Sequence, residues 1–290
     1  MSRGGGVLET GQLSSIPDVS DADIALLVAG LADTSRRVQR VELSRRTVWI
    51  KRYGTEGAIF WQRLYAPLTR FLPAAFRLAP RRTPAGMIRQ EEARIVRFAA
   101  KGFSVPVVLY SSPTALILSD TSPSVENKLR ALRDEQPAVH EALLVACAAE
   151  LGRLHAAGLC HGRPHPRDMT VIDGRIGFID FEEDPEAVMP LAMAQARDLW
   201  VLFFQLATRS IEGEATLERA YQAWAAEAPA GAKAELRSLI RFAARFLPFA
   251  RLIGRVRMGS DLRRFIVATG YLQKAIGQDS VPVGKAGLND

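Results

Sequence analysis

The stretch LCHGRPHPRDMTVIDGRIGFIDFE, Leu159–Glu182, decides how this chain is read. It opens with a polar loop in which His161, Arg163, His165 and Asp168 crowd together. Ahead of that loop Val139, Leu143, Cys147, Leu151 and Leu154 recur at helical spacing, and Gly158 ends the pattern. Behind the loop two short apolar runs flank the turn Asp173-Gly174. The second run ends on Asp180, an acid placed after Ile176, Phe178 and Ile179 and before Phe181. A carboxylate at the end of a buried β run needs a partner or a ligand.

Two more stranded charges lie upstream. The runs Val38–Leu43 and Thr47–Tyr53 flank Ser44–Arg46 and predict a hairpin, with Lys51 at the end of its second strand. A lysine flanked by hydrophobes there must snorkel or meet an anion. Met87–Lys101 predicts a helix ending at Gly102, with Met87/Ile88, Glu91, Ile95 and Phe98 on its apolar stripe. Glu91, or its neighbour Glu92, is the carboxylate that could meet Lys51. Pro106–Tyr110 and Ala115–Leu118 predict further strands, and Asp120–Pro123 a break in the chain. A helix over Ile24–Leu31 precedes the hairpin, and Ala192–Leu206 and most of 214–275 read as helical. Strands with one long helix come first and helices follow, so the class is α+β with two lobes. The expected parts are a flexible leader over 1–20, an N-lobe over 21–121, a helical C-lobe over 122–276 and a tail over 277–290.

As an ordered set these residues resemble the protein-kinase-like phosphotransferase superfamily. Val48-Trp49-Ile50-Lys51 is similar to its phosphate-binding lysine strand, and Glu91 stands where its helix supplies the pairing glutamate. His161-Gly162-Arg163-Pro164-His165-Pro166-Arg167-Asp168 resembles a catalytic loop of the kind H-G-D-x-H-P-x-N. Ile179-Asp180-Phe181-Glu182 resembles the metal-binding D-F-G or D-F-E segment, and Asp198 the buried acid below the catalytic loop. The closest flavour is the bacterial lipopolysaccharide kinase family, and the resemblance covers about 36–206. It implies a small β-rich N-lobe and a mainly helical C-lobe with Mg-ATP between them. Lys51, held by Glu91, would contact phosphates; Asp168 and Asp180 would hold Mg²⁺; His165 would lie near the transferred phosphate; Ser119, Asp120 and Thr121 would meet the adenine.

Two departures bear on activity. Arg163 occupies the place of the family's catalytic Asp and cannot serve as a general base. The stretch Ser35–Arg46 holds no glycine, so the family's phosphate-covering turn is replaced by side chains such as Arg36, Arg37, Arg45 and Arg46. The sequence therefore leaves two readings: an ATP-dependent kinase of a sugar, lipopolysaccharide-core or lipid-linked hydroxyl, with Asp168 or His165 as base, or a pseudokinase acting as a regulatory binding module at a membrane surface.

Composition narrows the setting. Over 290 residues, 48% hydrophobic and 24% charged residues make a globular chain. Two cysteines, Cys147 and Cys160, call for no disulfide framework, and with His161 and His165 they lack the paired spacing of a structural zinc site. Met1–Pro17 has no apolar core of a secretory signal, and no run approaches a membrane span. The expected location is the cytoplasm or the inner face of its membrane. Of the formal net charge of +7, residues 35–90 carry 13 basic against two acidic side chains, and residues 237–264 carry eight arginines against Asp261. An insertion over about 57–86 and the segment 241–264 mix these arginines with Phe and Leu, which points to an anionic membrane surface. Nothing resembles a nucleic-acid-binding motif, so nucleic acid is not the expected partner.

Overall fold

The computed structural model describes residues 13, 16–54, 75, 77 and 82–279. Most of the leader and of the 57–86 segment, and the tail from 280, lie outside the described residues. The chain divides into two compact units. The first draws its described residues from Met1–Pro67, Pro80–Ser122 and Phe178–Glu182, and the second from Leu68–Ala79, Pro123–Gly177 and Glu183–Asp290.

The first unit is built on a four-stranded antiparallel sheet of β1 (Val38–Glu42), β2 (Thr47–Arg52), β3 (Val108–Ser111) and β4 (Ala115–Ser119), ordered β1-β2-β4-β3. β2 has a neighbour on each side, with Lys51 opposite Val38 on β1 and Leu116 on β4. Its alternation sorts its side chains to two faces. Val48 and Ile50 enter a core with Leu13, Ile16, Leu27, Val41, Tyr110 and Ile117. Leu27 comes from α1 (Asp21–Ala32), which the Ser20–Asp23 capping box starts. Trp49 and Lys51 point to the opposite face. The helix α2 (Pro84–Ala100), capped by Thr83 with Pro84 in its first turn, buries Ile88, Glu91, Arg94, Ile95 and Phe98. It starts one turn earlier than the periodicity predicts and ends as expected at Gly102, whose φ is +80°.

The second unit is helical: α3 (Val125–Glu135), α4 (Pro137–Ala156), α5 (Leu191–Arg209), α6 (Glu214–Glu227), α7 (Ala230–Ala244), α8 (Leu247–Val256) and α9 (Ser260–Asp279). A two-stranded ribbon, β5 (Met169–Ile172) and β6 (Arg175–Phe178), turns at Asp173 and Gly174, both at positive φ. The core gathers Leu144, Cys147, Leu151, Leu199, Phe203 and Trp224, none more than 1% exposed. Gly152 brings α4 against α6: a Cβ there would lie 2.9 Å from the Trp224 carbonyl oxygen. The α+β class read from the sequence, a small antiparallel sheet followed by a mainly helical part, is what the structure shows.

Candidate functional site

In the first unit three carboxylates converge on one ammonium. Lys51 Nζ donates to Glu91 Oε1 and Oε2, both at 2.9 Å, and to Asp180 Oδ1 at 2.8 Å. It also pairs with Glu182 Oε1 at 2.8 Å. The Lys51 side chain is 8% exposed and that of Glu91 1%, whereas Asp180 and Glu182 keep 25% and 19%. Glu91, not Glu92, is thus the helix partner of Lys51. Tyr53, two residues along the same strand face, donates its hydroxyl to Glu91 Oε2. Arg37, just ahead of β1, donates to the same Glu182 Oε1, and Gln90 Nε2 reaches the Glu182 carbonyl at 2.9 Å.

Asp180 is held by its apolar neighbours. Phe181 and Phe178 pack edge-on against Phe98 of α2, with centroids 4.7 and 6.0 Å away, and Phe103 closes the group. Arg94 lies over both Phe98 and Phe181. Between the two phenylalanines Asp180 takes φ +64°, a left-handed conformation that Asp tolerates better than most residues. Glu91 and Phe98 stand seven residues apart on α2, so one helix face supplies both the carboxylate and the aromatic seat.

Burial alone would push the Lys51 ammonium down, but Glu91, Asp180 and Glu182 outweigh it and its pKa is raised. Burial pushes Glu91 up, against the pull of Lys51 and the Tyr53 hydroxyl. Burial and the neighbouring Glu91 charge raise the Tyr53 phenol. Counting Lys51 and Arg37 against Glu91, Asp180 and Glu182, the cluster carries one net negative charge, and its two more exposed carboxylates supply hard oxygen donors. Among the described residues no group of three or more His, Cys, Asp and Glu side chains is arranged to hold a metal alone.

The Ser119–Thr121 segment also belongs to the first unit. Ser119 Oγ accepts from the Val107 amide at 2.8 Å. Asp120 Oδ1 accepts from Trp49 Nε1 at 2.8 Å and from Ser122. Burial opposes these bonds, but they prevail and hold the Asp120 carboxyl below its ordinary value.

In the second unit the polar loop hangs from α5. Asp198 accepts from the His161 and Gly162 amides at 2.5 and 2.8 Å. Gln195, one turn earlier, donates to the carbonyls of His155 and Leu159, both at 2.9 Å. His155 in turn accepts from Trp224 Nε1 at 3.0 Å. Arg163 lies 4.0 Å from Asp168 Oδ2 and 3.8 Å from Glu183 Oε1. Arg197 grips Glu183 at 2.5 Å and the Gly162 carbonyl at 3.1 Å. The Asp168 amide donates to the His165 carbonyl at 2.7 Å, and His165 Nδ1 accepts from the Arg167 amide. Burial, then Arg209 and Arg167, lower the His165 pKa to about 4, so its ring is neutral near pH 7.

The structure therefore joins Lys51, Glu91 and Asp180 in one unit and Arg163, His165 and Asp168 in one loop of the other. Sequence reasoning passes over Tyr53, Glu183, Arg197 and Gln195, and names Arg37 only as one of the arginines standing in for a glycine-rich turn, not as a partner of Glu182. Tyr53 carries a usable signal, its two-residue spacing from Lys51; Gln195 carries another, a polar residue three before Asp198 in an apolar helix.

No family model matches the chain. Over 99 residues it is 30% identical to an uncharacterized protein of Haemophilus influenzae, a match covering 34% of this chain and 40% of that relative. The matched stretch thus spans two-fifths of the relative's length. Among solved structures, a MAP kinase of Leishmania major aligns over 88% of this chain and 87% of its own, with a TM-score of 0.34 and 14% identity.

Proposed function

We propose that the protein is an ATP-dependent phosphotransferase acting on a hydroxyl of a sugar, lipopolysaccharide-core or lipid-linked acceptor at the inner face of the cytoplasmic membrane. The observation that carries this reading is the Lys51 cluster. A buried lysine gripped by both oxygens of a buried glutamate, beside an aspartate held at positive φ, is an arrangement suited to polyphosphate. Phosphoryl transfer asks chiefly for charge neutralisation and alignment.

Lys51 is the phosphate contact in this reading, and Glu91 and Tyr53 fix its position. The net negative charge beside Lys51 and the partial exposure of Asp180 fit a Mg²⁺ ion, which takes one or two carboxylates together with phosphate oxygens and water. When bound, that ion supplies charge neutralisation to the phosphates. In this reading Asp180 would be its first ligand and Glu182 a second, and Asp168 is kept as a candidate ligand on the kinase-like resemblance alone. Ser119, Asp120 and Thr121 remain the adenine-side candidates. Arg163 cannot take the acceptor proton, so Asp168 or the neutral His165 imidazole would do so; base catalysis supplies about 10²–10⁴-fold of a rate.

One observation favours a second reading. With Arg163 in the base position, a catalytically impaired pseudokinase acting as a regulatory binding module at the membrane surface keeps every contact of Lys51. Thermal unfolding with and without millimolar Mg-ATP tests both. A ligand at 100 times its dissociation constant stabilises by about 2.7 kcal/mol, a rise of several degrees. A rise that Asp180→Ala abolishes supports a nucleotide site, and an acceptor screen with labelled ATP then separates enzyme from pseudokinase. No rise in the unsubstituted protein overturns the phosphotransferase and favours a pseudokinase that does not bind nucleotide.

A further inference from the structure

The penultimate helix of the second unit has two apolar faces. At about 100° per residue, α8 buries Leu247 and Ala250 along one stripe, on which a Cβ at Gly254 would meet Met258 first and Ile266 of α9 at 3.8 Å. Phe246, Phe249, Leu252, Ile253 and Val256 fall in a separate arc of about 120° and face outward. Phe249 is 64% exposed and Val256 89%. Scattered exposed hydrophobes need no account, but five along one helical arc do. Arg251 and Arg255 stand between the buried stripe and this arc, and Arg245 and Arg257 flank the two ends of the helix. Six arginines and no acid lie between Glu235 and Asp261. None of Arg245, Arg251, Arg255, Arg257 and Arg263 has an ion-pair partner among the described residues.

We infer that the outward face of α8 is an interfacial anchor for an anionic phospholipid bilayer. The ten-residue helix is about 15 Å long, too short to span and long enough to lie in the interface plane. Its aromatic and aliphatic arc would enter the acyl boundary while the arginines fork onto lipid phosphates. A second copy fits poorly, because pairing two such faces about a two-fold axis sets arginine rims against each other. The inference rests on neither the Lys51 cluster nor an acceptor, so it stands or fails separately from the proposed phosphotransfer.

The test is flotation of the full chain with vesicles of phosphatidylcholine alone or with about 30% phosphatidylglycerol, at about 0.1 M salt. The expected result is binding to the anionic vesicles that weakens as salt is raised. Joint Phe249→Ser and Leu252→Ser should lower partitioning by about tenfold or more, with melting temperature unchanged. Arg251→Gln with Arg255→Gln should lower it by about twenty-five-fold on anionic vesicles, at about fivefold per arginine. Independently of those variants, Phe249→Trp should shift its emission to the blue and be quenched by brominated lipid. Three results overturn the inference: failure of the unsubstituted chain to float, full flotation of the serine variant, or a tryptophan insensitive to lipid quencher. Self-association that the serine variant abolishes, without flotation, would instead mark a face between two copies and equally overturn it.

Discussion

Glu182 meets Lys51 at 2.8 Å, on the same ammonium that Glu91 and Asp180 already hold. A lysine has three donor hydrogens, and three carboxylates surround this one. Glu182 thus stands where an incoming anion would meet Lys51, and Arg37 holds it there.

Glu182→Gln should therefore tighten binding of nucleotide without metal by several-fold, because it removes a like charge from beside the phosphates. Calorimetry in EDTA reads this directly. Unchanged or weaker affinity for free ATP would show that Glu182 does not compete for Lys51.

Glu91→Ala should destabilise the first unit by about 3 kcal/mol, since it strips a buried ammonium of its main partner and leaves the Tyr53 hydroxyl without its acceptor. Urea unfolding measures it. Tyr53→Phe with Glu91 intact should cost about 1 kcal/mol. If the two substitutions cost the same, Lys51 is held by Asp180 and Glu182 rather than by α2.

How much of this is legible in the sequence follows from where each residue sits. Lys51, Glu91 and Asp180 are charges on otherwise apolar patterns, and such a misfit is visible in one dimension. Glu182 and Arg37 sit in polar surroundings, where a charge is unremarkable, and only the folded chain joins residues 145 positions apart. The class and most elements follow from periodicity and glycine signals. α3 does not stand out as a separate element, because its apolar stripe is short, with only Val125 and Leu129 buried. The break between α8 and α9 is hidden because Arg257–Gly259 continues an arginine-rich run without a proline.

Asp198→Ala should cost about 3 kcal/mol, because two amides at the start of the polar loop lose a fully buried acceptor. Asp198→Asn, which keeps one acceptor oxygen, should cost less. Chemical denaturation ranks the three proteins. Equal stability of all three would mean the loop is not held from α5.

His165 offers a pH test with a definite sign. Its pKa falls from 6.5 to about 4 on folding, so the folded state takes up its proton only at lower pH. Its contribution to stability is complete above pH 6.5 and is lost as pH falls toward 4. His165→Gln should flatten the stability profile over that window, and Arg209→Gln should move the imidazole midpoint upward, as read by NMR of the ring protons. A midpoint at the ordinary imidazole value in the unsubstituted protein would remove the burial argument.

Gly152→Ala should lower stability by about 1–2 kcal/mol, despite a helix-propensity gain of about 1 kcal/mol. Its new methyl would meet the Trp224 backbone, which cannot move without shifting α6. A stabilised variant would mean α4 and α6 part easily at this crossing.

The raised pKa of Lys51 also sets its reactivity. Amine-directed acylating reagents attack the deprotonated nitrogen, and the three carboxylates keep this one protonated where such reagents are used. An exposed lysine such as Lys274 will be labelled while Lys51 is passed over. Acyl label on Lys51 would then serve as a reporter, since it forms only when the surrounding carboxylates have let go.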